Sequence, residues 1–425
     1  MESLSNSPHT FRPSKGSTLS AMFLVAGTCV GGGMLVLPLA TGLNGFWPSI
    51  AMMVVCWAAM TATALLLLEA SLWMEEGVHI ITMTTRLLGH RAKVISWVLF
   101  LFISYATIMA YTAGAGAQIA STITHDFNLP LSKDLGALIF ILIFGGIIYL
   151  GSEIVGRVNS IFFIAMIAAY IGLVGMGIDE VKAHNLVNFK WTGALGALPL
   201  LLTVFSFQTM VPSLTPYMKG HKNALKAAII GGTTIAFIIY AVWQWLILGI
   251  IPVEGSGGLA EALEKAQPST IFLRDHVEGK WIAPIAESFA FFAIATSFFG
   301  MTLGLFDFLS DGLKIKKEGF GKVVLALLII VPTMLFVVKF ERIFLVALDT
   351  TGGYGDTILN GLLPVLMVWV GRYSKGYKDA ICVPGGKPLL ILIFCFFLGI
   401  LMMEIIEHSS QLISIYQVND VFKPQ

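Results

Sequence analysis

The sequence predicts an all-α, polytopic membrane protein. Of its 425 residues 56% are hydrophobic and only 12% charged, the mean hydropathy is +0.84, and the apolar residues lie in long runs bounded by charges, Pro or Gly clusters. A spanning helix needs about 20 mostly apolar residues, so a chain of this length and composition holds about ten to twelve spans and leaves no room for a soluble catalytic domain. The net charge is +1, and no basic run is long enough to suggest a nucleic-acid partner.

Eleven runs qualify as spans, at 18–40, 48–74, 94–124, 135–152, 158–177, 195–218, 225–252, 282–306, 320–339, 341–371 and 388–407. Span 1 follows a polar tail, residues 1–17, that carries Arg12 and Lys15. Its apolar stretch is too long for a signal-peptide core and lacks a small-residue cleavage site, so it is read as retained. Spans 4 and 5 are divided around Glu153 and Arg157, and spans 9 and 10 by a tight turn at Lys339, Glu341 and Arg342. Span 11 stands alone before a C-terminal tail, 408–425. Cys29, Cys56, Cys382 and Cys395 are far apart and form neither a CxxC pair nor a disulfide framework.

An odd number of spans puts the termini on opposite sides, and cationic residues concentrate on the cytoplasmic side. With the N-terminus inside, 17 of the 26 Lys and Arg fall on that side, including Arg86, Arg91, Lys93, Lys219, Lys222 and Lys226. The longest loop opposite, 253–281, carries Glu254, Glu261, Glu264, Asp275 and Glu278. The N-terminal tail is therefore expected in the cytoplasm and the C-terminal tail outside it.

Two spans are unsuited to continuous helix. Span 1 contains Gly27-Thr28-Cys29-Val30-Gly31-Gly32-Gly33, and each glycine disfavours helix by about 1 kcal/mol relative to Ala. Span 6 contains Ser206-Phe207-Gln208-Thr209-Met210-Val211-Pro212-Ser213, where Pro212 removes a backbone donor and clashes with the preceding turn. The second lies five spans after the first, so the two helices run in opposite directions. That is the pattern of an inverted repeat, 18–177 against 195–371, with 388–407 as an extra helix in one transmembrane domain, 18–407. Unwound backbone at membrane depth is tolerable where protein or a water-filled cavity satisfies it, so the breaks are expected to line a cavity.

Helix ends define the chemistry of such a cavity. A half-helix starting near Gly33 presents unpaired N–H groups and a positive dipole end, which attract a carboxylate, and glycine lets that carboxylate approach the backbone. Pro212 can open the second half of span 6, while carbonyls near Phe205 and Ser206 can accept from an ammonium. Opposed sets of backbone groups suit a zwitterion, with Thr28, Gly31, Gly32, Gly33, Phe205, Ser206, Phe207 and Gln208 around it. The competing reading is packing: Gly27 and Gly31 form a GxxxG, and small residues commonly mark close helix crossings.

Other polar residues inside the spans are candidates for ion handling. Glu69 and Glu287 sit near span ends, where they can also be interfacial, whereas Asp349 and Asp356 lie within span 10, Asp356 closer to its middle. Gly353-Tyr354-Gly355-Asp356 spells the GxGD of intramembrane aspartyl proteases, but that chemistry needs a second carboxylate and span 9 contains no Asp, so Thr351-Gly352-Gly353-Tyr354-Gly355 is read as a flexible interruption. Tyr105 and Tyr111 lie in span 3 beside Ala113, Gly114, Gly116, Ala117 and Ala120. The small residues suit packing, and a mid-span Tyr hydroxyl needs a partner, either a substrate carboxylate or a carbonyl. Thr296 and Ser297 in span 8, with the Gly27 carbonyl, can hold a cation or bond back to their own helix. No histidine lies near a span centre, which argues against a metal site, and HExxH, GxxxxGK[ST] and GxSxG are all absent. The chain is therefore read as no enzyme, and no cofactor is expected.

Val25-Ala26-Gly27-Thr28, Gly31-Gly32-Gly33-Met34-Leu35 and Leu37-Pro38-Leu39-Ala40 resemble the first helix of the bacterial aromatic amino acid permeases specific for tyrosine or tryptophan, of the amino acid, polyamine and organocation superfamily. Val211-Pro212-Ser213-Leu214 is similar to their sixth helix. Thr296-Ser297-Phe298-Phe299-Gly300 and Leu303-Gly304-Leu305-Phe306-Asp307-Phe308-Leu309-Ser310-Asp311-Gly312-Leu313 resemble their eighth. The resemblance implies a five-plus-five fold in the inner membrane and import of an aromatic amino acid, usually with protons. The aromatic side chain would lie near Phe207, Gln208, Tyr105 and Tyr111. Where relatives tend to have Gly and His around the sixth-helix break, this chain has Ser206 and Gln208, which leaves tyrosine, tryptophan and other neutral amino acids open. Ion coupling falls to Asp356 for protons, or to Gly27, Thr296 and Ser297 for sodium. A channel or a non-transporting amino acid receptor is the alternative of another class, although no ring of pore-lining groups is evident.

Overall fold

The structure, a computed structural model, describes residues 15–421 except 76–77, 188, 219–220, 266, 278–280, 341 and 378. Arg12, Lys219, Glu278 and Glu341, used above to set orientation and boundaries, lie outside the described residues. Every regular element among the described residues is helical. Among the described residues nine helices are long and apolar enough to cross a membrane, and a pair bent by 47°, Thr18–Cys29 and Gly32–Asn44, makes a tenth when taken as one span.

The expected spans are found with shifted ends. Span 2 is Phe46–Leu72, span 3 His90–Phe127, span 4 Lys133–Leu150 and span 5 Ser152–Gly177. Spans 4 and 5 part at Gly151 and not at Glu153 and Arg157, because Gly151 takes φ +124°, open to glycine and strained for other residues. Span 7 is Lys222–Ile250, span 8 Ile282–Leu313 and span 9 Gly319–Lys339. The last helix runs Gly386–Val421 and so continues well past 407.

The expected span 341–371 is built differently from the others. It starts as α-helix at Ile343–Thr350, widens to π-helix over Thr351–Leu362, returns to α at Leu363–Trp369 and ends in π-helix at Val370–Ser374. No single α-helix there reaches spanning length, and it is not among the ten crossings; the expected total of eleven rests on this interrupted helix. π-Helix within a longer helix tends to mark functional places, and here the widening begins in Thr351-Gly352-Gly353-Tyr354-Gly355.

Glycines set the closest crossings. A Cβ at Gly116 would lie 2.6 Å from the Ala137 nitrogen, joining spans 3 and 4, and one at Gly232 would meet the Met22 carbonyl at 2.6 Å, seating span 1 on span 7. Gly352 leaves no room for a Cβ against the Pro199 carbonyl, which brings span 10 onto the first half of span 6. The packing reading of the span 3 small residues is thus the observed one at Gly114 and Gly116, which abut Phe344 and Ala137.

At one end of the bundle a buried ion pair fastens the chain after span 10. Arg372 donates from Nε and Nη2 to the two oxygens of Glu69 at 2.6 and 2.7 Å, and from Nη2 to the Val383 carbonyl at 2.8 Å. The Cys382 amide donates to the same carboxylate at 2.7 Å. Glu69 and Glu287, the two carboxylates placed near span ends by the sequence, are both buried, Glu69 fully and Glu287 nearly so, and Glu287 accepts from Thr122 at 3.3 Å.

Candidate functional site

Span 1 stops being α-helical at Cys29 and resumes as a 3₁₀ turn at Gly32–Val36, with Gly31 between them in fully extended conformation (φ −164°, ψ −160°). Span 6 is α-helical over Leu198–Val204, loses its regular winding at Phe205 to Phe207, and resumes as a 3₁₀ turn at Gln208–Met210 and α-helix at Val211–Tyr217. Both sequence-predicted interruptions are present. They are also neighbours: the Tyr240 hydroxyl of span 7 lies 2.6 Å from the Cys29 carbonyl and 3.0 Å from the Val204 carbonyl, the last residues of the two first halves. A helix leaves its last four carbonyls without intrahelical donors, and one phenol serves one such carbonyl from each broken span. Phe205 packs edge-on to the same ring.

Tyr240→Phe is expected to lower stability by about 1–1.5 kcal/mol, a typical net hydrogen-bond contribution, and to weaken substrate binding by loosening the two ends. A thermal-shift series with and without substrate checks this. An unchanged melting temperature and unchanged substrate-induced shift would remove the bridge from the argument.

The span 1 break is closely walled. A Cβ at Gly31 would overlap Ser297 Oγ, one at Gly32 would sit 2.8 Å from Tyr111 Cε1 and 3.3 Å from the Ile294 Cα, and Gly33 faces Val204 at 3.6 Å. The first amides of a helix have no intrahelical acceptor; that of Gly32 donates to Ser297 Oγ at 3.1 Å, so Ser297 occupies one group of the expected carboxylate cradle. Thr28 is exposed on the side of the N-terminal half, its hydroxyl 2.7 Å from Met210 Sδ across the two breaks. Gly27 faces Phe163 of span 5 at 3.1 Å.

At the span 6 break, Ser206 donates to Asp356 Oδ1 at 2.6 Å. Asn360, four residues further along span 10, donates from Nδ2 to the same oxygen at 2.6 Å and to Ser206 Oγ at 3.0 Å. Asp356 is fully buried and its other oxygen, Oδ2, takes no hydrogen bond. Thr203, in the first half of span 6, donates its hydroxyl proton to the Leu348 carbonyl at 2.8 Å.

The remaining candidates separate into two groups. Tyr111 lies against Gly32 and faces Ser297. Phe205 and Phe207 are 1% exposed and belong to the packed interior. Gln208 is turned into span 2: its Nε2 donates to the Met60 carbonyl at 3.1 Å and Thr63 Oγ1 at 3.3 Å, and its Oε1 accepts from the Phe207 amide at 2.9 Å. Tyr105 donates to the Leu328 carbonyl of span 9 at 2.8 Å, away from the breaks. Thr296 bonds back to Phe292 and Ala293 carbonyls at 2.9 and 3.1 Å. A cavity of about 440 Å³ opens elsewhere, beside Trp73, Lys222 and Tyr377.

Sequence reasoning did not single out Tyr240 or Asn360. Both left a signal: a Tyr deep in an apolar span needs a partner, and an Asn four residues from an Asp shares its helix face.

The model of the tryptophan/tyrosine permease family matches residues 14–404. The chain belongs to that family. It is 30% identical over 404 residues to the tyrosine-specific transport system 1 of Haemophilus influenzae, covering 91% of this chain and 96% of that one. It is 28% identical to the tryptophan-specific transport protein of Pseudomonas aeruginosa (92% and 95% covered) and to the low affinity tryptophan permease of Escherichia coli K12 (89% and 94%). Among solved structures, the crystal structure of MhsT in complex with L-phenylalanine superposes with a TM-score of 0.63 at 14% identity, covering 92% of this chain and 97% of that one, which places the permease in the same fold. It is a multi-pass membrane protein of amino acid permease type.

Proposed function

We propose that this permease is a secondary active transporter of the inner membrane that imports tyrosine or tryptophan with protons by alternating access, its N-terminus in the cytoplasm. The observation that carries this reading is the meeting of two broken helices at Tyr240, next to the Ser206–Asp356–Asn360 cluster. The substrate carboxylate would take the amides of Gly31 to Gly33 in exchange for Ser297, and the ammonium would take carbonyls near Ser206. Tyr111 borders the same place from span 3. The named activities of the relatives, tyrosine- and tryptophan-specific transport, support the aromatic substrate. Protons are favoured over sodium because Thr296 and Ser297 are engaged within the protein, whereas Asp356 keeps a buried oxygen without a hydrogen bond.

The test is uptake into proteoliposomes with pH and sodium gradients imposed separately and tyrosine, tryptophan and leucine as competitors. One-to-one coupling to one pH unit, worth about 1.4 kcal/mol, sustains about a tenfold concentration ratio. The expected result is accumulation with an inward proton gradient, competition by tyrosine or tryptophan and indifference to sodium. Accumulation with sodium alone would replace the proton by sodium, and equilibration without accumulation would favour a channel or receptor. Asp356→Asn is expected to bind substrate and exchange it while the pH-driven ratio falls to about one; an unaltered ratio would exclude Asp356 as the coupling group.

A further inference from the structure

A second carboxyl group lies across the widened part of span 10 from the breaks. Glu404 of the last helix is 1% exposed, and its Oε1 has no hydrogen-bond partner. A Cβ on Gly353 would overlap the Glu404 carboxyl carbon, so the glycine keeps span 10 backbone directly against that carboxyl group. Gly353 precedes Asp356 by three residues, within a single turn of the π-helix. The first half of span 6 also packs there, through Pro199 against Gly352, and Leu198 to Val204 contain no titratable side chain.

The titratable groups facing Glu404 lead toward the surface. On its own helix these are Glu407, which is exposed, and the part-buried His408, whose Nδ1 is 3.6 Å from Glu404 Oε1. On span 10 they are Tyr354, whose hydroxyl reaches the Glu404 carbonyl at 3.5 Å, and the part-buried Asp349, near enough to feel the charges of Glu404 and Glu407. Asp356 is faced in turn by Ser206, Asn360 and Tyr111. This end of span 10 lies beside the loop 253–281, since Arg342 donates to the Leu263 carbonyl at 3.2 Å.

We propose that Glu404 is a proton-loading residue that receives a proton from the Asp349, Glu407 and His408 side and delivers it to Asp356. This rests on the proton-coupled reading above. Two features distinguish the group from a solvated acidic patch: the central carboxyl is buried with an unused oxygen, and a glycine reserves the space beside it. An O–H or N–H bond of Asp349, Glu407 or His408 breaks as the proton adds to a Glu404 carboxylate oxygen; that O–H bond then breaks as one forms on Asp356, leaving Glu404 a carboxylate again. A carboxyl in so little water is expensive to hold charged, which makes it a place where a proton can rest on its way inward.

The experiment compares Glu404→Gln and Glu404→Asp with the unaltered protein in proteoliposomes, reading both pH-gradient-driven uptake and substrate counterflow. Glu404→Gln should slow driven uptake at least about tenfold and flatten its dependence on external pH, with counterflow kept within about twofold; Glu404→Asp should recover part of the driven rate. Infrared difference spectra on acidification should show a carboxylic acid band that Glu404→Gln removes. Driven uptake with an unchanged rate and pH profile in Glu404→Gln would overturn the proposal. So would an equal loss of uptake and counterflow, which marks a structural role, or an infrared band that persists. If the unaltered protein itself gains nothing from a proton gradient, the proton-coupled function falls, and that result is distinct from failure of Glu404 alone.

Discussion

Gly32→Leu should abolish uptake, by at least about a hundredfold, in a protein that still reaches the membrane. A Cβ at this position already lies 2.8 Å from the Tyr111 ring and 3.3 Å from the Ile294 backbone, so the further carbons of leucine have no place without moving spans 3 or 8 off span 1. Overpacking of this kind costs about 1–3 kcal/mol in an ordinary core. Here it also fills the site where the carboxylate would meet the backbone and displaces the Gly32 amide from Ser297. Gly146→Ala is the matched control, because a Cβ there meets nothing within 4 Å; it should transport normally. Uptake and surface level are measured together, and full uptake by well-expressed Gly32→Leu would remove the backbone cradle from the mechanism.

The second large effect is structural. Arg372→Met should destabilise the protein by about 3–5 kcal/mol, the usual consequence of leaving one member of a buried ion pair uncompensated. The lost guanidinium also held the Val383 carbonyl, and the stranded Glu69 still holds the Cys382 amide. Replacing both members, Glu69→Leu with Arg372→Met, should cost less than the single change, since no unpaired charge then stays buried. Cys382 offers a reporter. Burial, with the negative charge of Glu69 adding to it, pushes its thiol up to about 11, so near neutral pH it is a protected thiol with little thiolate to react. Maleimide labelling of Cys382, read in detergent in a Cys395→Ser background because Cys395 is exposed, should be slow with Arg372 in place and faster in Arg372→Met, alongside a lower melting temperature. Equal labelling and equal melting in both would show that the pair does not hold the segment after span 10.

The broken spans were legible in the sequence for a local reason: three consecutive glycines and a Val-Pro within apolar runs conflict with helix whatever surrounds them. Most span positions were legible in the same way, from apolar runs long enough to cross a bilayer. Local signals misplaced the boundary between spans 4 and 5, where Gly151 with positive φ outweighed the nearby charges. The glycines of Thr351 to Gly355 signalled an interruption in span 10, but not that it would take the form of π-helix. There Gly352 and Gly353 lie against Pro199 and Glu404, residues distant in the chain.

The candidate site divides along the same line. Gly31, Gly32, Ser206 and Asp356 could be named from residue type and depth, but not that Asp356 would close onto Ser206 through Asn360. Nor could the sequence say that Gln208 would turn toward Met60 and Thr63 and away from Asp356, since either direction satisfies an amide. By itself the sequence determined where the backbone cannot stay wound and how much chain belongs in lipid, because glycine entropy, proline sterics and hydropathy act residue by residue. Which carbonyl receives Tyr240, which carboxylate keeps a free oxygen, and which glycine makes room for which neighbour were decided by tertiary structure alone. Those outcomes depend on distances between spans, and a hydrogen bond or a steric overlap is settled within a few tenths of an ångström.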